Sequence, residues 1–265
     1  MLPFHLSSHS PLWNAAGALG FAPPRSSPVD CTALGAFVTN PISIAPRTPA
    51  QLPRYLDYPG GVLLHTGLPN PGLRRVLRQF AGQWARASLP IIVHLIADSP
   101  ENVNHMIRQL EEVEGVAGIE LGIPPDANAD QISELTQAGM GELPLLVRLP
   151  PNGVLLDPLP GAVSIGPPRG ALPGSMPGMF VEGRLYGPAL FPQILRAVRG
   201  LKELGVPIIA GGGVYHPTQA EALLSAGALA VQLDLRLWRG PWPDQEWESW
   251  LAKISVPSKS SSVHR

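Results

Sequence analysis

Short apolar runs alternate with amphipathic segments through the middle of this chain. Residues 89–97, 118–123 and 143–149 are almost wholly apolar, and in segments 100–113 and 130–138 the apolar residues recur at helical spacing. Strands that are apolar along their whole length are buried on both faces, as in a parallel sheet covered by helices. The alternation therefore predicts an α/β fold built on a parallel sheet.

Counted over the whole chain, these runs give eight predicted strands. They lie near residues 13, 36, 91, 118, 144, 162, 207 and 229. Eight such strands in 265 residues predict one (β/α)8 TIM barrel domain over residues 1–254. Segment 150–161 contains four prolines, so the helix after strand five is expected to be missing or shortened. Residues 255–265 are expected to form a flexible tail.

Segment 206–238 has the order strand, glycine turn, helix, strand. Three consecutive glycines at 211–213 follow an apolar run, Pro217 suits the first helical position, and Gly227 suits the position just past the helix end. The turn after the seventh strand of such a barrel commonly binds phosphate through free backbone N–H groups. A plain tight turn explains a glycine triplet about as often. The position in the barrel makes these glycines candidates for an anion site.

The composition favours a small-molecule site. A formal net charge of -1 provides no basic surface for nucleic acid, and no apolar run reaches the roughly 18 residues of a membrane span. The single cysteine, Cys31, cannot form an internal disulfide, and no metal-ligand spacing is visible. We therefore expect no metal, no nucleic-acid partner and a reducing, cytoplasmic setting.

Two long segments lack a clear helical or strand pattern. Residues 45–67 and 167–183 are rich in glycine and proline and are predicted to be loops. Loops of this length inside a compact domain are usually functional.

Seven short motifs occur in a defined order along nearly the whole chain. They are N-A-A-G at 14–17, G-A-F-V-T at 35–39, G-L-P-N-P-G at 67–72, I-E-L at 119–121, L-V-R-L-P-P at 146–151, Y-G-P-A-L at 186–190 and P-I-I-A-G-G-G at 207–213. In this order they resemble the dihydroorotate dehydrogenase family, whose members are FMN-dependent (β/α)8 barrels.

The resemblance implies an FMN site at the carboxyl ends of the strands. Arg148 stands where the family has a lysine facing the N1/O2 edge of the flavin, and a cation there stabilises the reduced, anionic ring. The cofactor-binding residues that it implies are Ala16, Gly17, Asn40, Arg148, Gly187, Gly211, Gly212 and Gly213.

The departures from the family pattern fall on the chemistry. Asn40 replaces a lysine that contacts the flavin, Leu64 and Gly122 replace substrate-binding asparagines, and Pro124 with its neighbours replaces the catalytic serine or cysteine. Gly166 and Pro167 stand in place of a later asparagine pair, and Asp234 and Leu235 in place of a Gly-Thr pair that contacts the phosphate. A carboxylate near a phosphate is repulsive.

Two functions follow from the resemblance and its departures. The first is a flavoprotein oxidoreductase that acts on CH–CH bonds and shares its ancestry with enzymes of pyrimidine biosynthesis. It is expected to be inefficient or inactive on dihydroorotate. The alternative is a catalytically inactive barrel paralogue that serves as a subunit or scaffold without bound flavin.

The candidate catalytic residues are His65, His94 and Arg148. Either histidine could act as an acid or base if it faces the mouth of the barrel. His94 lies inside an apolar strand, where a histidine is more often a core residue with its hydrogen bonds satisfied. Glu120 is likewise interpreted as a buried partner of neighbouring strands, although a position in the barrel interior can make it catalytic.

A missing helix after strand five would leave an exposed apolar flank. Leu155, Leu156 and Leu159 lie in that segment, and a bare apolar patch favours a covering partner. The sequence therefore predicts a homodimer or a partner subunit.

Overall fold

The computed structural model describes residues 9–24, 26–153 and 157–254, which form twelve strands and six α-helices. In chain order the strands are β1 (Leu12–Asn14), β2 (Phe37–Val38), β3 (Tyr55–Tyr58), β4 (Gly61–Leu64), β5 (Ile91–Ile96), β6 (Val116–Gly122), β7 (Leu145–Leu149), β8 (Ala162–Ile165), β9 (Arg169–Pro173), β10 (Phe180–Tyr186), β11 (Ile208–Gly211) and β12 (Ala230–Leu233). The helices are α1 (Leu73–Trp84), α2 (Pro100–Glu111), α3 (Ala129–Ala138), α4 (Phe191–Leu201), α5 (Pro217–Ser225) and α6 (Gln245–Ile254).

Eight parallel strands form the barrel. Their order is β1-β12-β11-β8-β7-β6-β5-β2, and every neighbouring pair is parallel. A parallel bridge between Trp13 and Ala36 joins the two end strands. The (β/α)8 barrel predicted from the apolar runs is confirmed, and each of its strands lies at or beside a predicted position.

The side chain of Asn14 strengthens the join between β1 and β2. Its Nδ2 donates to the carbonyl oxygen of Val38 at 2.6 Å, and its Oδ1 accepts from the N–H of Val38 at 2.9 Å. Both residues are fully buried. An asparagine amide thus supplies two bonds that backbone pairing supplies elsewhere in the barrel.

Strand alternation separates the outer core from the barrel interior. In β5, Ile91, Val93 and Leu95 pack outward under the helices, whereas Ile92 belongs to a smaller inner cluster. The inner cluster consists of Trp13, Ala36, Val38, Ile92, Leu146, Ala162, Ile209 and Ala230. Successive side chains in a strand point to opposite faces, so the residues two positions after Ile92, Leu146 and Ala230 also point inward. Those residues are His94, Arg148 and Gln232.

Helix starts follow their capping residues. Ser99 accepts a hydrogen bond from the N–H of Asn102 ahead of Pro100, and Asn128 forms a capping box with Gln131. His216 precedes Pro217, the first residue of α5, as the sequence predicts. These caps satisfy N–H groups that have no partner inside the helix.

Two of the barrel connections lack an α-helix in the described residues. Between β7 and β8 none is present, as the prolines predicted, and between β1 and β2 there is only the 3-10 helix Cys31–Ala33. Leu155, Leu156 and the expected tail at 255–265 lie outside the described residues.

A second sheet corrects the prediction of two long loops. Segments 45–67 and 167–183 contribute the antiparallel strands β3, β4, β9 and most of β10, in the order β3-β4-β10-β9. We call this sheet the lid. In β3, β9 and the first part of β10 exposed residues alternate with more buried ones, so these strands lack the continuous apolar runs of the barrel strands. Pro59-Gly60 between β3 and β4 was the available turn signal.

Replacing Asn14 by alanine tests how the barrel closes. Asn14→Ala leaves the buried N–H and carbonyl of Val38 without their partners, so we expect a loss of about 2–4 kcal/mol in the free energy of unfolding, measured by urea denaturation. Asn152→Ala removes an exposed asparagine and should change it by less than about 0.5 kcal/mol. Equal unfolding midpoints for the two variants would contradict the role given to Asn14.

Candidate functional site

A cavity of about 580 Å³ lies between the carboxyl ends of the barrel strands and the lid. Ligand pockets commonly have volumes of roughly 300–1,000 Å³, and barrel active sites lie at this face. The barrel contributes Ala15 to Ala18, Asn40, His94, Gly122, Arg148 and Asp234 to the wall, and the lid and its flanks contribute Leu64, His65, Arg169, Gly183, Arg184 and Tyr186.

Four inward-facing side chains form a hydrogen-bonded network at the floor of the cavity. Glu120 Oε2 lies 2.6 Å from His94 Nδ1 and accepts from Arg148 Nη1 at 3.0 Å. Glu120 Oε1 accepts from Gln232 Nε2 at 2.8 Å, and Gln232 Oε1 accepts from Arg148 Nη1 at 3.1 Å. The floor network therefore ties together β5, β6, β7 and β12.

The network fixes the charges of its members. Burial raises the pKa of Glu120, but Arg148 and the hydrogen bond to His94 outweigh this and hold that pKa well below its usual range, so the carboxylate is ionised. Burial lowers the pKa of His94 despite the opposing effect of Glu120, so the imidazole is neutral at pH 7. A neutral ring must then donate Nδ1–H to the carboxylate, which leaves Nε2 as an acceptor.

Two glycines make room for the network. A Cβ added to Gly122 would lie 2.7 Å from His94 Nε2, and one added to Gly166 would collide with the guanidinium of Arg148. These are positions at which the resemblance places asparagines in the family. The space that those side chains would need is taken here by His94 and Arg148.

Asp234 places a second buried carboxylate in the cavity wall. It is only 4% exposed, and neither carboxylate oxygen has a hydrogen-bond partner in the described part of the chain. Burial raises its pKa to about 6, against the opposing effects of the nearby Leu235 backbone N–H and of Arg148. The N–H groups of the following turn lie close to this carboxylate without reaching hydrogen-bonding geometry.

Three further arginines line the cavity. Arg169 lies 3.7 Å from the exposed Glu182, whereas Arg184 and Arg47 have no carboxylate within ion-pair distance among the described residues. Burial lowers the pKa of Arg184, and the nearby Arg148 and Arg169 act in the same direction. The lid side of the cavity is therefore positively charged.

The structure gathers six of the predicted site residues around one cavity. Ala16, Gly17, Asn40, His65, His94 and Arg148 all line it. His65 follows β4 at the edge of the lid, so the long segment does contribute to the site even though it is not a loop throughout.

Four glycines that the resemblance implies as cofactor-binding are not part of the cavity wall. Gly187, Gly211, Gly212 and Gly213 do not line the cavity. A Cβ at Gly187 would collide with the carbonyl oxygen of Gly60 in the lid hairpin, and one at Gly213 would lie 2.5 Å from the backbone nitrogen of Phe191. All four glycines are buried, and Gly187, Gly212 and Gly213 have positive φ.

Sequence reasoning missed the roles of Gln232 and of the lid side chains. Gln232 was readable as a polar residue at an inward position of an apolar strand. Arg184 and Tyr186 were given no role because the first part of their strand was interpreted as a loop, although F-V-E-G-R-L-Y carries a partial polar and apolar alternation.

Comparisons with known proteins agree on one family. The sequence profile described as dihydroorotate dehydrogenase matches residues 4–154. Three relatives are each named dihydroorotate dehydrogenase B (NAD(+)), catalytic subunit. The relative from Pelobacter propionicus is 29% identical over 97% of this chain and 95% of its own length, that from Geobacter sp. strain M21 is 27% identical over 97% and 94%, and that from Trichlorobacter lovleyi is 27% identical over 97% and 95%.

The cavity suits the ring of FMN and not its phosphate. Small residues at 15–18, Asn40 and the cation of Arg148 line the cavity and are compatible with a flat heterocycle. The glycine turn is outside the lining, and the nearest replacement for a phosphate contact is the unpartnered carboxylate of Asp234. The residues present therefore do not fit intact FMN.

Asp234→Asn should stabilise the protein in a pH-dependent way. The folded-state pKa of Asp234 is raised from 3.8 to about 6. The free energy of unfolding of the wild type therefore falls as pH rises through this window, and it stays lower at higher pH. A shift of this size corresponds to about 3 kcal/mol. In urea denaturation the variant should exceed the wild type by up to this amount at pH 8, and the gap should narrow towards pH 4.

A matched control uses an exposed carboxylate. Asp126→Asn should change the free energy of unfolding by less than about 0.5 kcal/mol at either pH. A constant difference between Asp234→Asn and wild type from pH 4 to pH 8 would contradict the state assigned to Asp234.

Proposed function

Because this chain belongs to the dihydroorotate dehydrogenase family, we propose that it is a divergent oxidoreductase of that family. Its cavity takes a flavin-type ring above the floor network, and it turns over dihydroorotate poorly or not at all. The observation that carries the proposal is the position of Arg148, a buried cation that lines the cavity and is held by Glu120 and Gln232. A fixed cation of this kind favours the anionic, reduced form of a flavin ring.

His94 is the proposed acid or base of the site. Glu120 accepts its Nδ1–H at 2.6 Å, which selects one tautomer and fixes the ring, and Nε2 lies over Gly122 at the cavity wall. A carboxylate that orients a neutral imidazole while the other ring nitrogen faces substrate is an arrangement suited to proton transfer. His65 lines the same cavity from the lid side and is the second candidate.

The loss of activity on dihydroorotate is proposed from what the wall lacks. Gly122, Ile123, Pro124 and Pro125 line the cavity where the family resemblance places a substrate amide and the catalytic serine or cysteine. None of these side chains can accept a proton or form a side-chain hydrogen bond. Removal of a positioned base typically lowers the rate by a factor of roughly 100 to 10,000.

The charge of the lid supports an anionic substrate. Arg169 and Arg184 reach the cavity from β9 and β10, and Arg47 reaches it from the segment before β3. Arginine forks bind carboxylates well, and these charges are incompletely paired among the residues that the structure describes. We propose a small carboxylated molecule as substrate, oriented with its negative end towards the lid.

The second candidate function is a flavin-free barrel that serves as a subunit or scaffold. The features that favour it are the Asp234 carboxylate and the packed glycine turn, since both oppose the phosphate of FMN. FMN is the cofactor that the family supports, so uptake of a flavin by the purified protein separates the two candidates.

A second chain is proposed to cover part of the surface. Four large apolar side chains in or beside the lid are exposed, namely Leu52, Tyr55, Met176 and Phe180, and Leu159 is 38% exposed on the flank after β7. The relatives are named as catalytic subunits, which favours a partner subunit as much as a second copy. No described helix is long and apolar enough to cross a membrane, and we propose a cytoplasmic setting.

Dihydroorotate turnover is the first test. With dihydroorotate, a dye acceptor and added flavin, we expect a rate at least about 100-fold below that of the Pelobacter propionicus relative assayed in parallel, because the base of the catalytic loop is replaced by Pro124. A rate comparable to that relative would contradict the proposal and place an effective base elsewhere in the cavity.

Gly166→Ala tests whether Arg148 holds the ring. The added methyl group collides with the guanidinium, so we expect riboflavin affinity, measured by quenching of flavin fluorescence, to fall by about tenfold or more. Gly200→Ala is the matched control, because a Cβ there meets nothing within 4 Å and the site lies on α4. If wild type and both variants all fail to bind flavin, the flavin-free barrel is favoured.

A further inference from the structure

Asp234 stands where a barrel of this kind has its phosphate site. It is the first residue after β12, the eighth barrel strand, and so lies beside the turn that follows β11, the seventh. The loops after these two strands are the usual phosphate-binding loops of (β/α)8 barrels. In this chain that position carries a negative charge of the protein's own.

The carboxylate of Asp234 is built into the wall without a partner. It is nine-tenths or more buried, it lines the cavity, and neither oxygen accepts a hydrogen bond from any described residue. The arginine nearest in sequence, Arg236, is paired with Asp244. A buried acceptor without a donor destabilises the protein unless a ligand supplies the missing hydrogen bonds.

The neighbouring glycine turn offers no alternative phosphate site. Gly211, Gly212 and Gly213 are buried and do not line the cavity. The backbone of Leu190 and Phe191 packs against Gly213 on the side that a Cβ would occupy.

We propose that the cavity selects a flavin without a phosphate, with Asp234 accepting hydrogen bonds from the hydroxyl groups of the flavin side chain. Riboflavin is the ligand with this chemistry: it has the ring that suits Arg148 and a polyhydroxylated chain that carries donors and no negative charge. The inference rests on the proposed function, since it specifies which flavin the ring site accepts. Donor hydroxyls and the unpartnered carboxylate are complementary, whereas a phosphate and the same carboxylate repel.

Direct titration of the full-length protein with two flavins tests this inference. Riboflavin and FMN are titrated separately at pH 8 by fluorescence quenching, with equilibrium dialysis as a second measurement. Wild type should bind riboflavin about tenfold or more tighter than FMN. Comparable affinities for the two flavins, or a preference for FMN, would overturn the inference.

Two substitutions identify the residue responsible. Asp234→Asn keeps the shape and removes the charge, and Asp234→Gly removes the side chain altogether. Each should bring FMN affinity to within a few-fold of riboflavin affinity, while Asp126→Asn, which changes an exposed carboxylate, should leave the wild-type preference unchanged. Circular dichroism of each variant shows whether it is folded, and either folded Asp234 variant is sufficient for the test.

The outcomes separate this inference from the function on which it rests. An unchanged preference for riboflavin in both Asp234 variants would overturn the role of Asp234 while leaving a flavin site in place. Failure of wild type and of both variants to bind either flavin would overturn the proposed flavin function and this inference with it. The expected result is that all three proteins bind riboflavin, that wild type binds FMN about tenfold or more weakly, and that both variants bind the two flavins with similar affinity.

Discussion

The buried carboxylate of Glu120 is the constraint on which the site depends. It lies inside the barrel with no exposed surface, where an ionised group is stable only if donors surround it. His94, Arg148 and Gln232 supply those donors from three other strands. Removing one partner of such a buried pair typically costs about 3–5 kcal/mol, so each of the four residues restricts substitution of the others. The orientation of His94 and Arg148 towards the cavity is a consequence of satisfying Glu120.

The changes relative to the family pattern are therefore coupled. Gly122 and Gly166 are not simply lost asparagines, because the ring of His94 and the guanidinium of Arg148 lie where a side chain at these positions would begin. Restoring either asparagine alone would displace a member of the floor network. The absence of side chains at these two positions is thus a condition for the floor network.

The strands that could be predicted from the sequence are those whose burial requires a continuous run of apolar residues. β5, β6 and β7 are buried along almost their whole length and were recognised as strands. The lid was missed because its strands are half exposed, and half-exposed short strands resemble loops. His94 and Arg148 were recognisable as polar interruptions of apolar strands. Glu120 was recognised as a buried partner of neighbouring strands, but the residues that it pairs with were not identified, since its bonds to Arg148 and Gln232 span 28 and 112 residues of sequence.

The two faces of the cavity differ in charge, and this limits how a ligand can lie in it. Arg169 and Arg184 bring positive charge from the lid, whereas Asp234 brings an unpartnered acceptor from the rim of the barrel. An anionic group is therefore favoured against the lid and disfavoured at the end of β12. A group that donates hydrogen bonds is favoured at the end of β12. An FMN molecule bound as the resemblance implies would place its phosphate at the disfavoured end. The proposed combination, a flavin without a phosphate and a carboxylated substrate under the lid, is complementary to the charges of both faces.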